Sequence, residues 1–163
     1  MVYIITGEIN SGKTTRLLSI YNEKQEGDGF VTLKVYSHGK YIGQKIRRLS
    51  TGEETYLSMV RDIPKDWDEK CRYDDYSFSQ SGINLAQKTA DDIIKRGINP
   101  AFVDEIGPLD LQGKGFYDVF SLLLSECRDI YFTVRITSLN DVIEKFSIKD
   151  CVIRGITGQR SCD

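Results

Sequence analysis

A lysine and a threonine directly behind one glycine, with a second glycine five residues further back, are the groups that hold a polyphosphate. Gly7-Glu8-Ile9-Asn10-Ser11-Gly12-Lys13-Thr14 fits the pattern G-x-x-x-x-G-K-[ST] in full. The glycines admit backbone conformations closed to other residues, so successive N–H groups can turn inward around phosphate oxygens. Lys13 would reach the β- and γ-phosphates, the Thr14 hydroxyl would bind Mg²⁺, and a helix starting here would add its positive end. Thr15 closes the loop at the helix start. At ordinary residue frequencies the octapeptide arises by accident in roughly 0.5% of chains this long. Its flanks also suit it. Met1 to Thr6 is a short apolar run rich in β-branched and aromatic residues, as a buried strand would be, and Leu17, Leu18 and Tyr21 follow at helical spacing.

A phosphate loop needs an acid for its metal, and Phe102-Val103-Asp104-Glu105 offers two at the end of an apolar strand. Asp104 suits the Mg²⁺ water shell, and Glu105 can orient an attacking water as general base. Arg135 follows Tyr-Phe-Thr-Val at the end of the next apolar strand, Asp129 to Val134. In phosphate-loop folds with an Asp-Glu pair that strand lies between the loop strand and the acid strand. An arginine there could neutralise transition-state charge, an effect worth roughly 10³ to 10⁵ in rate; a surface arginine opening a loop is the equal alternative. Arg16 and Lys114 are weaker candidates, explained well by solvated helix and loop positions. Asp104-Glu105-Ile106-Gly107 also matches the D-x-x-G phosphate sensor of GTP switches, but the base-reading N-K-x-D element is absent, which argues against such a switch.

The elements that would position these groups alternate strand and helix. Helix one should end near Lys24, with a turn cluster at Glu26-Gly27-Asp28-Gly29. Phe30 to Tyr36 and Tyr41 to Arg47 read as a hairpin around Ser37-His38-Gly39-Lys40, where Gly39 supplies positive φ. Lys40, Lys45, Arg47 and Arg48 read as its solvated face. Residues 49–79 suggest one or two short antiparallel strands and a mobile loop. Ser79 or Ser81 should cap a helix carrying Ile83, Ala86, Ala90, Ile93 and Ile94 on one face, stopped by Gly97. Gly107 to Gly115 is expected as a loop into a helix whose core face is Phe116, Phe120, Leu123, Leu124 and Cys127. Ser138-x-x-Asp141 resembles a capping box opening the last helix, and residues 150–153 form a final strand. The order implies an α/β fold: a mostly parallel sheet, helices on both faces, and a ligand at the strands' carboxyl ends.

The 163 residues suit one domain, 1–163. A net charge of −2 supplies no global field toward nucleic acid or acidic membrane. No apolar stretch reaches spanning length and no basic-then-apolar leader opens the chain, so the expected location is cytoplasmic. Cys71, Cys127, Cys151 and Cys162 form no C-x-x-C pair and are read as reduced thiols; with His38 the single histidine, zinc is not expected. Oligomeric state has no sequence marker.

These residues resemble a known family, the small prokaryotic nucleoside-triphosphatases related to the human cancer-related nucleoside-triphosphatase. The likeness rests on Thr6 to Thr15, Gly29-Phe30, Thr51-Gly52-Glu53, the block from Val103 to Leu111 with Phe116 beyond, and Thr133-Val134-Arg135. It implies a RecA-like P-loop sheet with an added antiparallel hairpin. It also implies Mg²⁺-dependent hydrolysis of ATP, GTP and other nucleoside triphosphates with little base selectivity. The chain departs from the family pattern at three places. Ile9 and Asn10 stand where proline and a third glycine are usual, Asp110 where glutamate is, and Leu33-Lys34 where acids are. Asn10 tolerates the left-handed conformation, so the loop can still form.

The expected activity is therefore a Mg²⁺-dependent nucleoside-triphosphatase acting on a nucleoside triphosphate, with no membrane partner and none in nucleic acid. A small-molecule or nucleoside kinase is the rival enzyme, with residues 50–78 as lid or acceptor site and Arg61 or Arg72 reaching in. A nucleotide-responsive interaction module with slow hydrolysis is a third reading.

Overall fold

A computed structural model describes residues 1–156. One nine-stranded sheet runs through them. In chain order the elements are β1 (Val2–Gly7), α1 (Lys13–Lys24), β2 (Asp28–Ser37), β3 (Lys40–Arg48), β4 (Glu54–Met59), β5 (Glu69–Tyr73) and β6 (Tyr76–Ser79). They continue with α2 (Gln80–Arg96), β7 (Ala101–Ile106), the single turn α3 (Pro108–Leu111), α4 (Tyr117–Glu126), β8 (Ile130–Arg135), α5 (Leu139–Lys145) and β9 (Cys151–Ile156). The strand order is β5-β6-β4-β3-β2-β7-β8-β1-β9. From β2 to β9 every neighbouring pair is parallel; from β2 to β5 every pair is antiparallel. The acid strand β7 and loop strand β1 thus flank β8, the order expected from the sequence.

Alternate residues of the parallel strands feed two separate cores. Ile5, Val31, Phe102 and Tyr131 pack under Leu17 and Ile20 of α1. Ile4, Phe30, Val103 and Phe132 pack on the other face under α2, α4 and α5. Phe116 and Phe120 are core residues as expected, with ring centroids 4.8 Å from Phe30 and Phe132 respectively. α2 starts at Ser79, whose Oγ accepts from the Gly82 N–H, and stops at Gly97 in the left-handed conformation.

Four expectations need correction. Asp28 and Gly29 belong to a strand and not to a turn, paired with Ala101 and Phe102. The backbones are so close here that a methyl group on Gly29 would lie 1.9 Å from the Phe102 carbonyl oxygen. Gly29→Ala should therefore destabilise the fold by about 1–3 kcal/mol, seen as a lower urea midpoint at unchanged slope. Second, Arg48 is 4% exposed, not solvated: it bridges Asp28 at 2.7 Å and Asp92 at 2.6 Å. Third, residues 49–79 carry three strands, β4 to β6, which extend the hairpin into a five-strand antiparallel wing. Fourth, Ser138 makes no side-chain cap; a 3-10 turn over Ile136–Ser138 leads directly into α5. The hairpin turn holds two positive-φ residues, His38 at 50° and Gly39 at 74°, as a two-residue connection of this hand requires.

Candidate active site

The loop between β1 and α1 has the conformation its glycines and Asn10 allow. Asn10 has φ 57° and Gly12 φ 92°. Gly7 is needed for space, since a Cβ there would meet Ser11 Oγ at 2.5 Å and the Ile156 carbonyl at 2.8 Å. The crest is closed by the Ser11 N–H donating to the Glu8 carbonyl at 3.2 Å. Ile9 stands 60% exposed on that crest. Lys13 is 9% exposed and its ammonium donates to the Glu8 carbonyl at 2.5 Å, over the loop. Burial holds the Lys13 ammonium below its usual range, with Glu105 opposing that shift and Arg135 adding to it. Thr15 lies beyond, exposed at the start of α1.

Asp104 is fully buried at the end of β7. Its Oδ2 accepts from Thr14 Oγ1 at 2.8 Å, from the Thr32 N–H at 3.0 Å and from Thr32 Oγ1 at 3.2 Å; its Oδ1 accepts from Thr133 Oγ1 at 2.6 Å. Burial, and then the charge of Glu105, push this carboxyl above the usual carboxylate range, while those hydrogen bonds pull it down.

Neighbouring side chains on a regular strand point to opposite faces, which would separate Asp104 from Glu105. The strand is irregular at this point. The β7–β8 register breaks after Val103–Phe132 and resumes at Ile106–Val134, so three steps on β7 match two on β8. Within the bulge Glu105 adopts φ 58°, uncommon for a side chain of its size. Its N–H donates to Thr133 Oγ1 at 2.8 Å, and its Oε2 accepts from Gln44 Nε2 at 2.8 Å across from β3. Gln44 in turn accepts from Ser58 Oγ at 3.5 Å.

Of the groups singled out in the sequence, Lys13, Glu105 and Arg135 line one cleft of about 630 Å³ together with Asn10 and Ile9. Thr14 and Asp104 are joined to each other but do not line it; their neighbours Lys13 and Glu105 do. Arg135 ends β8 opposite Gly7, exposed and without an ion pair among the described residues. Arg16 instead pairs with Glu23 at 3.6 Å, and Lys114 is exposed and does not line the cleft. Arg61 and Arg72 do not reach in either; Arg72 pairs with Glu69 at 2.8 Å. Residues 50–78 contribute Leu57, Tyr73, Asp74, Tyr76 and Phe78 to the cleft wall.

Sequence reasoning overlooked Thr32 and Gln44, and noted Asp110 only as a departure from the family pattern, with no role. Thr32 and Gln44 reach the site only through strand register, which no local motif announces. Asp110 lies buried in the single turn α3 after β7, accepting from the Gly107 N–H at 2.8 Å and the Phe116 N–H at 2.7 Å. Burial pushes it up to about 7 against those two amides. Its spacing from Gly107 was the available signal, an acid three residues after a turn-forming glycine.

A phosphate loop opening a helix, facing a strand-end Asp-Glu pair in a parallel sheet with one strand between, defines a P-loop NTPase of the RecA-like class. The solved structures agree on the fold. The crystal structure of THEP1 from the hyperthermophile Aquifex aeolicus superposes with a TM-score of 0.75 at 21% identity, over 99% of this chain and 92% of that one. The solution structure of a human cancer-related nucleoside triphosphatase gives 0.67 at 22%, over 96% and 89%. The chain belongs to the NTPase family, whose model matches residues 2–160. Among curated relatives it is similar to the nucleoside-triphosphatase THEP1 of Thermotoga maritima, 29% identical over 160 residues, covering 94% of this chain and 84% of the relative. The protein of the same name from Archaeoglobus fulgidus is 26% identical over 148 residues, covering 89% and 83%.

Proposed function

We propose that this protein hydrolyses nucleoside triphosphates to the diphosphate and phosphate with Mg²⁺ as its metal. The observation that carries this reading is the hydrogen bond from Thr14 to Asp104, which joins the phosphate loop to the acid strand beside a glutamate turned into the same cleft. A hydroxyl and a carboxylate are hard oxygen donors of the kind Mg²⁺ takes, so the residues present fit that ion. Thr14 and Asp104 would hold it, and bound there it would draw charge off the terminal phosphates. Lys13 and the amides of residues 8 to 14 bind the phosphate chain. Glu105, held by Gln44, aligns a water in line with the terminal phosphorus and accepts its proton. Arg135 stands at the cleft wall to meet charge developing on the phosphoryl oxygens.

Phosphate release from Mg²⁺-ATP, -GTP, -CTP and -UTP tests the reading. Release from all four, stopped by a chelator, is the expected result; no release from any would sink it. Lys13→Ala should weaken triphosphate binding roughly tenfold to a hundredfold, since it removes a charge-assisted contact. Calorimetric titration with a non-hydrolysable analogue checks this, and undiminished affinity would mean the ligand sits elsewhere.

The cleft itself favours a second reading. Beyond Glu105 it continues between Tyr41, Tyr76, Phe78 and Leu57, more room than one water needs, and a phosphoryl acceptor would fit there. A kinase would release little free phosphate from Mg²⁺-ATP alone, so the same assay separates the two. In the described residues no helix is long and apolar enough to cross a membrane. The free thiols of Cys71, Cys127 and Cys151 suit a cytoplasmic site of action; Cys162 lies outside the described residues.

A further inference from the structure

The wing is joined to the catalytic centre by one face of its first two strands. On β2, Thr32 and Lys34 are alternate residues and so share a face; Thr32 holds Asp104. Opposite Lys34 on β3 is Gln44, its direct cross-strand partner, and Gln44 holds Glu105. The strand at Gln44 is pinned from behind. Gly43 has φ 156°, and a Cβ on it would lie 2.0 Å from the Ser58 carbonyl oxygen, so β4 packs backbone to backbone against this point. Lys34 is the exposed charged member of the face. Its ammonium donates to Asn10 Oδ1 on the crest of the phosphate loop, and it lines the same cleft as Lys13, Glu105 and Arg135. Among the described residues no carboxylate pairs with it.

We propose that Lys34 is a catalytic residue of this protein, a cation delivered by the wing of the same chain to the terminal phosphoryl group. This rests on the reading of the site as a triphosphatase. Lys13 reaches the loop from the start of α1 through the Glu8 carbonyl; Lys34 reaches it from β2 through Asn10 Oδ1. A terminal phosphate between Lys13 and the Glu105-aligned water has its outward oxygens facing the wing. An ammonium carries three donors, and Asn10 occupies one. The other two are free to take oxygens of the transferring group, whose charge is redistributed as the bond to the leaving oxygen lengthens. The contact is made to the terminal phosphoryl group alone, so it serves the triphosphate and the transition state and leaves the diphosphate untouched.

The test compares the full chain with Lys34→Gln and Lys34→Arg, reading phosphate release from Mg²⁺-ATP and, separately, affinity for Mg²⁺-ADP. Lys34 is exposed, and unchanged ADP affinity doubles as the check on folding. The expected result is a kcat lower on the order of 10²-fold in Lys34→Gln, recovery to within about tenfold in Lys34→Arg, and ADP affinity unaltered in both. Three results would overturn the proposal: wild-type kcat in Lys34→Gln, no recovery with arginine, or ADP affinity falling in step with kcat. If the wild-type chain itself neither binds nor hydrolyses triphosphates, the triphosphatase reading fails and takes the proposal with it. If the wild type turns over and Lys34→Gln equals it, only the proposal fails.

Discussion

Glu105→Gln should bind nucleotide as the wild type does and hydrolyse it roughly 10²- to 10⁴-fold more slowly. The substitution keeps the side chain's length and an oxygen that can still accept from Gln44, so the bulge and the cleft wall remain. What it removes is the ability to take a proton from the attacking water. The Glu105 backbone is already committed to φ 58° and tied to Thr133, so no other acid can be swung into its place without remaking the turn. Single-turnover phosphate release with enzyme in excess measures the chemical step directly, and titration with a non-hydrolysable analogue measures binding. Wild-type turnover in the variant would remove Glu105 from the mechanism. A parallel loss of binding would instead make it a part of the nucleotide site.

Arg48→Met is the second large effect, on stability. The Asp28 carboxylate is almost wholly inaccessible and takes Arg48 through both Nε at 2.8 Å and Nη2 at 2.7 Å, with Ser50 completing its shell at 2.7 Å. Methionine has similar bulk but no charge, so Asp28 would be left buried and uncompensated, at a cost of about 3–5 kcal/mol. Equilibrium denaturation reads this as a fall in midpoint. The double change Asp28→Asn with Arg48→Met should recover much of the loss, because it removes the stranded charge. Equal stability of the wild type and the single variant would mean water reaches the carboxylate.

The parallel half of the fold was legible because its strands are continuous apolar runs bounded by turns. Ile4-Ile5, Ala101 to Val103 and Tyr131 to Val134 are buried on both faces, and nothing but hydrophobicity is needed to see them. The antiparallel wing was only partly visible. β4 to β6 are four to six residues long and mix polar with apolar side chains, so the register that assembles them is decided by tertiary pairing. At the site, the loop and the acid pair announce themselves by spacing along the chain. Thr32 and Gln44 do not, because their distance from Asp104 and Glu105 in sequence is collapsed by β2 and β3 folding alongside β7. Arg48 misled for a related reason. Among hairpin lysines it reads as one more surface charge, and only the burial of Asp28 beneath it reveals an internal ion pair.

The Thr133 hydroxyl has a single proton and spends it on Asp104 Oδ1 while accepting from the Glu105 amide. That gives the two acids a shared, polarised wire with a fixed direction. The Glu105 amide leans on an oxygen whose hydrogen is already pledged to the Asp104 carboxylate. A shift of the peptide at 105 therefore changes how strongly that hydroxyl donates, and the movement is felt at the Asp104 carboxylate through one intervening oxygen.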